Sequence, residues 1–338
     1  MSATVLVAGG LGYIGSHTSV ELIKKGYNII IVDNLSNSEL FILDRIERIT
    51  GIKPAFYNVD LTDKIKTEEI FRQYNIDVVI HFAAYKSVFE SVKKPLQYFH
   101  NNLSSLINIL ECMKEAKVNN LIFSSSATVY GQPEKLPVTE STPFQKALSA
   151  YGSTKQMGEE ILEKFTAAEN IHAISLRYFN PVGAHESALI GELPKGVPNN
   201  LFPYVMQTGS GKLKQLTVYG NDYDTPDGSC LRDYIHVVDL AKAHVVACER
   251  LLLHKNEKSY EVFNVGTGKP TSVLEIINAF EKNTEVKLKY KIGDRREGDA
   301  PVVYADTTKA NQVLGWKAEL GLDDMIRSAW KWELNRVS

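Results

Sequence analysis

Short unbroken apolar runs alternate, along the first half of the chain, with longer stretches whose apolar residues recur at helical spacing. Thr4–Ala8, Asn28–Val32, Val78–Phe82, Asn120–Ser124 and Ala173–Tyr178 are rich in β-branched residues and show no polar alternation. A strand with one wet face would show a period of two, so these runs predict strands covered on both faces. Between them, Ser16–Lys25, Leu96–Ala116 and Tyr151–Thr166 have helical length and spacing. The alternation predicts an α/β fold, a doubly wound parallel sheet of Rossmann type. After Asn180 the pattern breaks, and Pro181, Pro194, Pro198 and Pro203 punctuate a Gly-containing stretch too irregular for another βα unit. A strand near Leu216–Tyr219, a segment at Arg232–Asp239 and a terminal helix near Leu322–Asn335 predict a smaller mixed α/β lobe at the C-terminus. We therefore expect residues 1–180 to form the Rossmann domain and 181–338 the second lobe, with an approximate boundary across which segments can interleave.

Composition narrows the class without naming a function. Hydrophobic residues at 44% and charged residues at 23% are those of an ordinary globular protein. A formal net charge of -2 supplies no field that would attract nucleic acid or an anionic membrane, and neither is expected as a partner. Cys112, Cys230 and Cys248 lie too far apart for a zinc ligand set or a disulfide framework, which points to a reducing compartment. His17, His81, His185 and His236 are scattered, and no metal is expected. His236, in an Ile-His-Val-Val run, reads as a core histidine, and Trp330 and Trp332 read as terminal-helix packing. The first residues lack a basic region followed by a long apolar stretch, and no run is long enough to cross a bilayer. These readings predict a cytoplasmic location.

Chemistry enters at Gly9-Gly10-Leu11-Gly12-Tyr13-Ile14-Gly15, directly after the first strand and before a helix. Gly9, Gly12 and Gly15 let the chain turn tightly, bring backbone N–H groups near a pyrophosphate, and aim the positive helix end at it. A tight turn that binds nothing would carry the same glycines. The second strand ends in Val32-Asp33-Asn34, which places Asp33 where a carboxylate accepts hydrogen bonds from ribose hydroxyls. A carboxylate there repels a 2′-phosphate, so NAD is favoured over NADP. Asp60 follows the strand-like run Phe56-Tyr57-Asn58-Val59 and suits either the adenine edge or an ordinary capping role.

Tyr151 and Lys155 stand four apart in a predicted helix and so share one face. An ammonium beside a phenol stabilises the phenolate, and such a tyrosine can take a proton from a sugar hydroxyl. Ser126 ends Ser124-Ser125-Ser126 at the carboxyl end of a predicted strand, where ligands of this fold sit, and its hydroxyl can bridge a substrate hydroxyl to Tyr151. Two unrelated surface residues and a serine-rich turn are the plain alternatives.

Taken together the motifs resemble the extended short-chain dehydrogenase/reductase family, and within it the branch that epimerises UDP-hexoses at C4. The resemblance spans nearly the whole chain. It is carried by Gly-Tyr-Ile-Gly-Ser-His (12–17), Val-Asp-Asn-Leu-Ser-Asn-Ser (32–38), Ser-Ser-Ser-Ala-Thr-Val-Tyr-Gly (124–131) and Arg-Tyr-Phe-Asn-Pro-Val-Gly-Ala-His (177–185). Pro-Asn-Asn-Leu (198–201), Arg-Asp-Tyr-Ile-His-Val-Val-Asp-Leu (232–240) and Arg-Arg-Glu-Gly-Asp (295–299) continue it. The resemblance implies interconversion of UDP-galactose and UDP-glucose by reversible oxidation at C4, with tightly bound NAD and a homodimer. It implies that Tyr13, Ile14, Asp33, Asn34, Asp60, Leu61, Phe82, Ala83, Lys86, Asn101 and Tyr178 line the NAD site together with Tyr151 and Lys155. For the UDP-sugar it implies Asn180, Asn200, Leu201, Tyr219, Arg232, Arg296 and Asp299 beside Ser126. The arginines suit this on physical grounds, since a forked guanidinium matches a diphosphate. The dimer would pack the helices holding Leu106–Met113 and Ile161–Phe165 against their copies, although those apolar positions suit an internal core equally.

Two positions depart from the family pattern. Phe82-Ala83-Ala84-Tyr85-Lys86 carries Ala-Tyr where many relatives have Gly-Leu, while keeping the lysine. Val303 stands where a bulky tyrosine restricts family members toward plain hexoses, so UDP-GalNAc and UDP-GlcNAc are expected as further substrates. Two rival readings share the fold. A nucleotide-sugar 4,6-dehydratase would carry a carboxylate just after the strand-end serine, and Ser126-Ala127-Thr128 has none. A non-catalytic NAD-sensing regulator would have no need of Ser126, Tyr151 and Lys155 together.

Overall fold

The computed structural model describes residues 2–296 and 300–336. The first half of the chain runs β1 (Thr4–Ala8), α1 (Tyr13–Lys24), β2 (Asn28–Asp33), α2 (Phe41–Thr50), β3 (Ala55–Asn58), α3 (Lys64–Gln73) and β4 (Val78–His81). There follow α4 (Val88–Lys93), α5 (Pro95–Ala116), β5 (Asn120–Ser124), α6 (Ala150–Ala168) and β6 (His172–Tyr178). The remainder is β7 (Asn180–Val182), α7 (Leu201–Gly209), β8 (Leu216–Tyr219), β9 (Leu231–His236), α8 (Val237–Leu252) and β10 (Tyr260–Val265). Last come β11 (Pro270–Ser272), α9 (Val273–Thr284), β12 (Tyr290–Gly293), β13 (Val302–Val303) and α10 (Leu322–Asn335).

Seven strands make one parallel sheet in the order β10-β6-β5-β4-β1-β2-β3. The direction of travel reverses after β3, so the crevice between β1 and β4 lies outside their carboxyl ends, where doubly wound sheets bind ligands. One apolar layer joins β1, β2 and β4 to α1, α2 and α8, and the opposite layer joins the same sheet to α3, α5 and α6. Every residue of β4 is buried, as expected for a strand sandwiched between helices. A smaller third core gathers α7, β8, α9 and α10 behind the short sheet β11-β9-β13.

Two elements from beyond residue 180 join the main sheet and its helical layer. β10 pairs with β6 from Tyr260↔Ala173 to Val265↔Tyr178, and α8 packs along α1. Neither was legible from pattern. Tyr260–Val265 carries Glu261 and Asn264 inside its run, and both are buried because each meets a partner distant in sequence. Glu261 takes two hydrogen bonds from Arg250 of α8, at 2.7 and 2.9 Å, and Asn264 accepts one from Tyr130 at 2.6 Å. The segment read as Arg232–Asp239 proves to be β9 running straight into α8, with the buried His236 capping the helix by accepting from Val238 N.

The helices foreseen as a dimer face bury their strongest apolar positions internally. Leu106, Ile109, Leu110, Cys112, Met113 and Leu162 belong to the core of this chain. Leu96, Ile107 and Met157 are the apolar residues that α5 and α6 present outward. The three cysteines are free and buried. Among the described residues no helix is long and apolar enough to cross a membrane, and no cluster of side chains suits a metal ion.

One buried ion pair ties the sheet to α6. Arg177 of β6 grips Glu159 of α6 through Nε and Nη2 at 2.6 to 3.1 Å, with both side chains under a tenth exposed. Arg177→Met would strand the Glu159 carboxylate without its cation, so unfolding free energy should fall by about 3–5 kcal/mol in urea denaturation.

Candidate active site

The turn after β1 leaves no room for side chains. Gly9 has φ +80°, and a Cβ there would lie 2.9 Å from Ala83 N. A Cβ on Gly15 would lie 2.2 Å from the Gly9 carbonyl oxygen, closer than any real contact. The backbone is thereby exposed on the crevice side, and α1 begins at Tyr13 with Gly12 as its N-cap, so its N–H groups point at the turn. These are the features a pyrophosphate requires. Asp33, at the end of β2, accepts from Leu11 N at 3.1 Å, from Leu35 N at 2.9 Å and from Ser38 Oγ at 2.7 Å. The turn and Asp33 are thus one unit, and a carboxylate with four acceptor sites retains capacity for a further donor.

The other expected cofactor residues gather round this unit, with a few set back from it. Asn34 donates to Asp60 at 3.0 Å, and Asp60 also accepts from Thr62. Burial pushes the Asp60 carboxyl up, but these hydrogen bonds outweigh it and hold it below the usual range. Leu61 is part of the core beneath, and Ile14 packs on the opposite apolar layer. Phe82 and Tyr178 lie against His244 of α8 at 4.7 and 6.4 Å between ring centres. Ala83 closes over Gly9, as described above. Asn101 donates to Asn102 at 2.9 Å. Lys86 reaches across to Glu192 at 3.1 Å.

Ser126, Tyr151 and Lys155 converge at the carboxyl ends of β4, β5 and β6. Ser149 caps α6 by accepting from Gly152 N, and the first two turns of that helix present Tyr151 and then Lys155 to the strand ends. Lys155 Nζ donates to the Ser124 carbonyl at 2.6 Å and lies 5.9 Å from the centre of the Tyr151 ring. Burial pushes the Tyr151 phenol up and a neighbouring Tyr178 adds to this, while a hydrogen bond with Ser126 pulls it down. Burial likewise brings the Lys155 ammonium down to about 7, with Glu159 one turn along opposing the shift. This folded value lies below the unfolded one. Charged Lys155 therefore costs stability below about pH 7, and that cost fades as pH rises toward the ordinary lysine range.

The described residues expected to hold substrate in the second lobe lie at four places. Asn180, in β7, donates to the Asp233 carbonyl at 2.9 Å. Asn200 is the N-cap of α7 and Leu201 its first residue, and Asn200 donates to Glu192 at 3.4 Å. Tyr219 ends β8, half exposed, with the Arg296 guanidinium 5.6 Å from its ring centre. Arg232 of β9 sits directly beside Val303 of β13 in the parallel register. Asp299 lies outside the described residues.

Four supporting residues escaped sequence reasoning. Buried Asn102 exchanges hydrogen bonds with Tyr85 N and O at 2.8 and 3.1 Å and donates to Thr154 at 3.0 Å, which fixes the Lys86 loop to α6. Asp233, fully buried, accepts from Thr267 and from Gly268, Ala305 and Thr267 backbone N–H groups, holding the strand that carries Arg232. Glu159 and Arg177 are the third and fourth. The position of Glu159 four residues after Lys155 was the one available signal, since it extends the same helical face.

A doubly wound sheet with this turn and this trio at its carboxyl ends is the frame of an extended short-chain dehydrogenase/reductase. The family model described as GDP-mannose 4,6 dehydratase matches residues 6–329. The chain is 49% identical to a UDP-glucose 4-epimerase of Bacillus subtilis, over 99% of this chain and 98% of that one. Among solved structures, a UDP-glucose 4-epimerase from Stenotrophomonas maltophila with bound NAD and formylated UDP-arabinopyranose is 47% identical, with TM-score 0.96, over 99% of this chain and 100% of that one. Another from Bifidobacterium longum, in complex with NAD+ and UDP, is 49% identical with TM-score 0.94, over 99% of each chain. The chain belongs to the UDP-glucose 4-epimerase family.

Because Gly15 has no space for a methyl group, Gly15→Ala should force the turn open. Dinucleotide affinity is expected to fall by about tenfold or more, roughly 1.4 kcal/mol, in calorimetric titration.

Proposed function

We propose that the protein interconverts UDP-galactose and UDP-glucose through a 4-keto sugar, with NAD as its resident cofactor. The observation that carries this reading is the meeting of Ser126, Tyr151 and Lys155 in a fold whose first βα turn is too tight for side chains and leaves its backbone open to a phosphate. Gly9, Gly12 and Gly15 would hold the pyrophosphate, with Asp33 and Lys155 on the ribose hydroxyls. Tyr13, Ile14, Asn34, Asp60, Leu61, Phe82, Ala83, Lys86, Asn101 and Tyr178 complete that site. When bound, NAD supplies the acceptor for the C4 hydride and its return to the other face of the ring.

The protein's own part is proton transfer and grip. Tyr151 takes the proton of the sugar 4-hydroxyl, and Ser126 bridges the two oxygens. Burial alone would hold Tyr151 as a neutral phenol, so the positive charge of Lys155 is needed to make the phenolate accessible. When the reaction reverses, Tyr151 returns the proton to the alkoxide, and the two directions use one group. The ring must present both faces to the cofactor in turn, which requires that the anchor lie elsewhere. Asn180, Asn200, Leu201, Tyr219, Arg232, Arg296 and Asp299 supply it by holding the UDP end.

A nucleotide-sugar 4,6-dehydratase would need a carboxylate just after the strand-end serine. Ser126 is followed by Ala127 and Thr128 in a single 3-10 turn with no acid or base to remove water across C5 and C6. Incubating the purified protein with UDP-galactose and no added NAD should yield UDP-glucose on nucleotide-sugar chromatography. Tyr151→Phe should lower turnover by about a hundredfold or more while retaining UDP binding. Near-normal turnover in that variant would remove Tyr151 as the base.

Val303 extends the reading to N-acetylated sugars. It stands beside Arg232 in the strand register, and its side chain is much smaller than a tyrosine's. UDP-GalNAc and UDP-GlcNAc should be turned over by the parent protein, and Val303→Tyr should cut their kcat/KM by about tenfold or more relative to UDP-galactose.

We also place a homodimer face on α5 and α6, where Leu96, Ile107 and Met157 are 81%, 41% and 43% exposed. A charge in such a patch opposes association, so Ile107→Glu should shift the mass measured by light scattering from dimer to monomer. Three buried, unpaired cysteines accord with a cytoplasmic setting.

A further inference from the structure

Strand β5 ends at Ser124, and its last large side chain, Phe123, is buried in the apolar layer that α3, α5 and α6 make against the sheet. The ring does more than fill that layer. Its centre lies 4.6 Å from Lys155 Nζ, nearer than the 5.9 Å that separates the same nitrogen from the centre of the Tyr151 ring. A cation over an aromatic face at that distance is attracted by the negative charge of the π cloud, most strongly where water is excluded.

Two neighbours fix the ring there. Gly158 follows Lys155 by three positions on the same face of α6, and a Cβ on it would come within 2.8 Å of Phe123 Cζ. Glycine is unfavourable inside a helix, and here its missing side chain is the notch in which the ring lies. His81, the last residue of β4, stands across the register from Phe123, with ring centres 6.1 Å apart and planes at 86°. His81 is buried, and neither ring nitrogen has a hydrogen-bond partner among the described residues. Burial, with the Lys155 charge adding to it, brings that imidazole down to about 3, so it stays neutral and sets no second cation beside the ammonium.

Other supports for the ammonium are limited. Nζ donates to the Ser124 carbonyl at 2.6 Å, whereas Glu159, one turn along, gives its carboxylate to Arg177, Ser125 and Tyr260. The remaining titrating groups are the phenols of Tyr151 on the same helix, Tyr178 at the end of β6 and Tyr98 on α5. Burial raises all three, so in the resting site none supplies a negative charge at neutral pH.

We propose that the Phe123 ring, seated in the Gly158 notch, holds Lys155 in its charged form and so acts as a positioning residue for proton transfer at Tyr151. This rests on the reading of Tyr151 and Lys155 as the proton-transfer pair. The ring favours the ammonium over the free amine, and it therefore opposes the burial that brings Lys155 down to about 7. Without the π face the ammonium is lost at a lower pH, and turnover that needs it falls at a lower pH on the alkaline side.

The test follows Lys155 in the protein as purified, by NMR of isotope-labelled lysine Cε carbons, with its signal identified by loss in Lys155→Met. The pH profile of UDP-galactose turnover is measured beside it. Phe123→Leu keeps an apolar side chain without a π face, and a ring-difluorinated phenylalanine at the same position keeps the shape while weakening the π cloud. In Phe123→Leu the Lys155 titration and the alkaline limb of turnover should both move down by about one pH unit, the scale of a desolvated cation–π contact. The fluorinated variant should move both by less in the same direction, with its unfolding midpoint at the parent value. A Lys155 titration at the parent pH in both variants would overturn the proposal. Lower turnover with both pH readouts unmoved would also overturn it, since the ring would then serve packing alone. A Lys155 titration that moves while the turnover profile stays would overturn the reading of Lys155 as the partner of Tyr151, and with it the role of Phe123 in proton transfer.

Discussion

The Glu159–Arg177 pair is the interaction on which the site's geometry depends. Glu159 belongs to the helix that carries Tyr151 and Lys155, and Arg177 to the strand that ends at Tyr178. The carboxylate also takes hydrogen bonds from Ser125, at the end of β5, and from Tyr260, in β10, at 3.2 Å. Arg177 extends the network to Tyr130 at 3.0 Å, and Tyr130 passes it to Asn264. Helix α6, the end of β5, β6 and β10 are therefore registered through one buried charge pair, and the first three carry residues of the proposed site. Burying two charges is costly unless both are fully satisfied, so the arrangement tolerates little displacement of any member. Ser125 is the central case, because it stands between the Ser124 carbonyl that holds Lys155 and the Ser126 hydroxyl that meets Tyr151.

Burial has a second effect at the same place. It disfavours both charged forms that the proposed chemistry uses, the phenolate of Tyr151 and the ammonium of Lys155. The chain counters this for lysine with the Ser124 carbonyl and the nearby Glu159 carboxylate, and for tyrosine with Ser126. The protein by itself leaves the tyrosine a neutral phenol. A proton shuttle that is reluctant to ionise alone becomes effective only once the ligands complete its surroundings, which accords with a reaction confined to a closed crevice.

The two lobes are not separate bodies in sequence. Strand β10 and helix α8 return from the second half to finish the main sheet and its helical cover, while residues 183–192 tie α10 to α1 and α2. This interleaving gives the site its rigidity. The elements that carry the residues proposed for the sugar nucleotide, β7 and β9, are tied to each other by the Asn180 to Asp233 hydrogen bond as well as by their parallel pairing.

Local chemistry alone determined much of this. Apolar runs such as Thr4–Ala8 and Val78–His81 are strands because no polar alternation interrupts them, and Gly9 and Gly15 shape a tight βα turn because neither has room for a side chain. Tyr151 and Lys155 share a face by helical spacing, and Asp33 stands at a strand end. Those are short-range facts, and short-range patterns record them. Only the tertiary structure decided that Tyr260–Val265 is a core strand, since its Glu261 and Asn264 are tolerable there solely through Arg250 and Tyr130. It likewise decided that Leu106, Ile109, Leu110 and Met113 pack inward, that Glu159 finds Arg177, and that Glu192 reaches Lys86. Each of these depends on a partner many residues away. A buried polar group is stable only when that partner arrives, and the pattern of one segment carries no record of it.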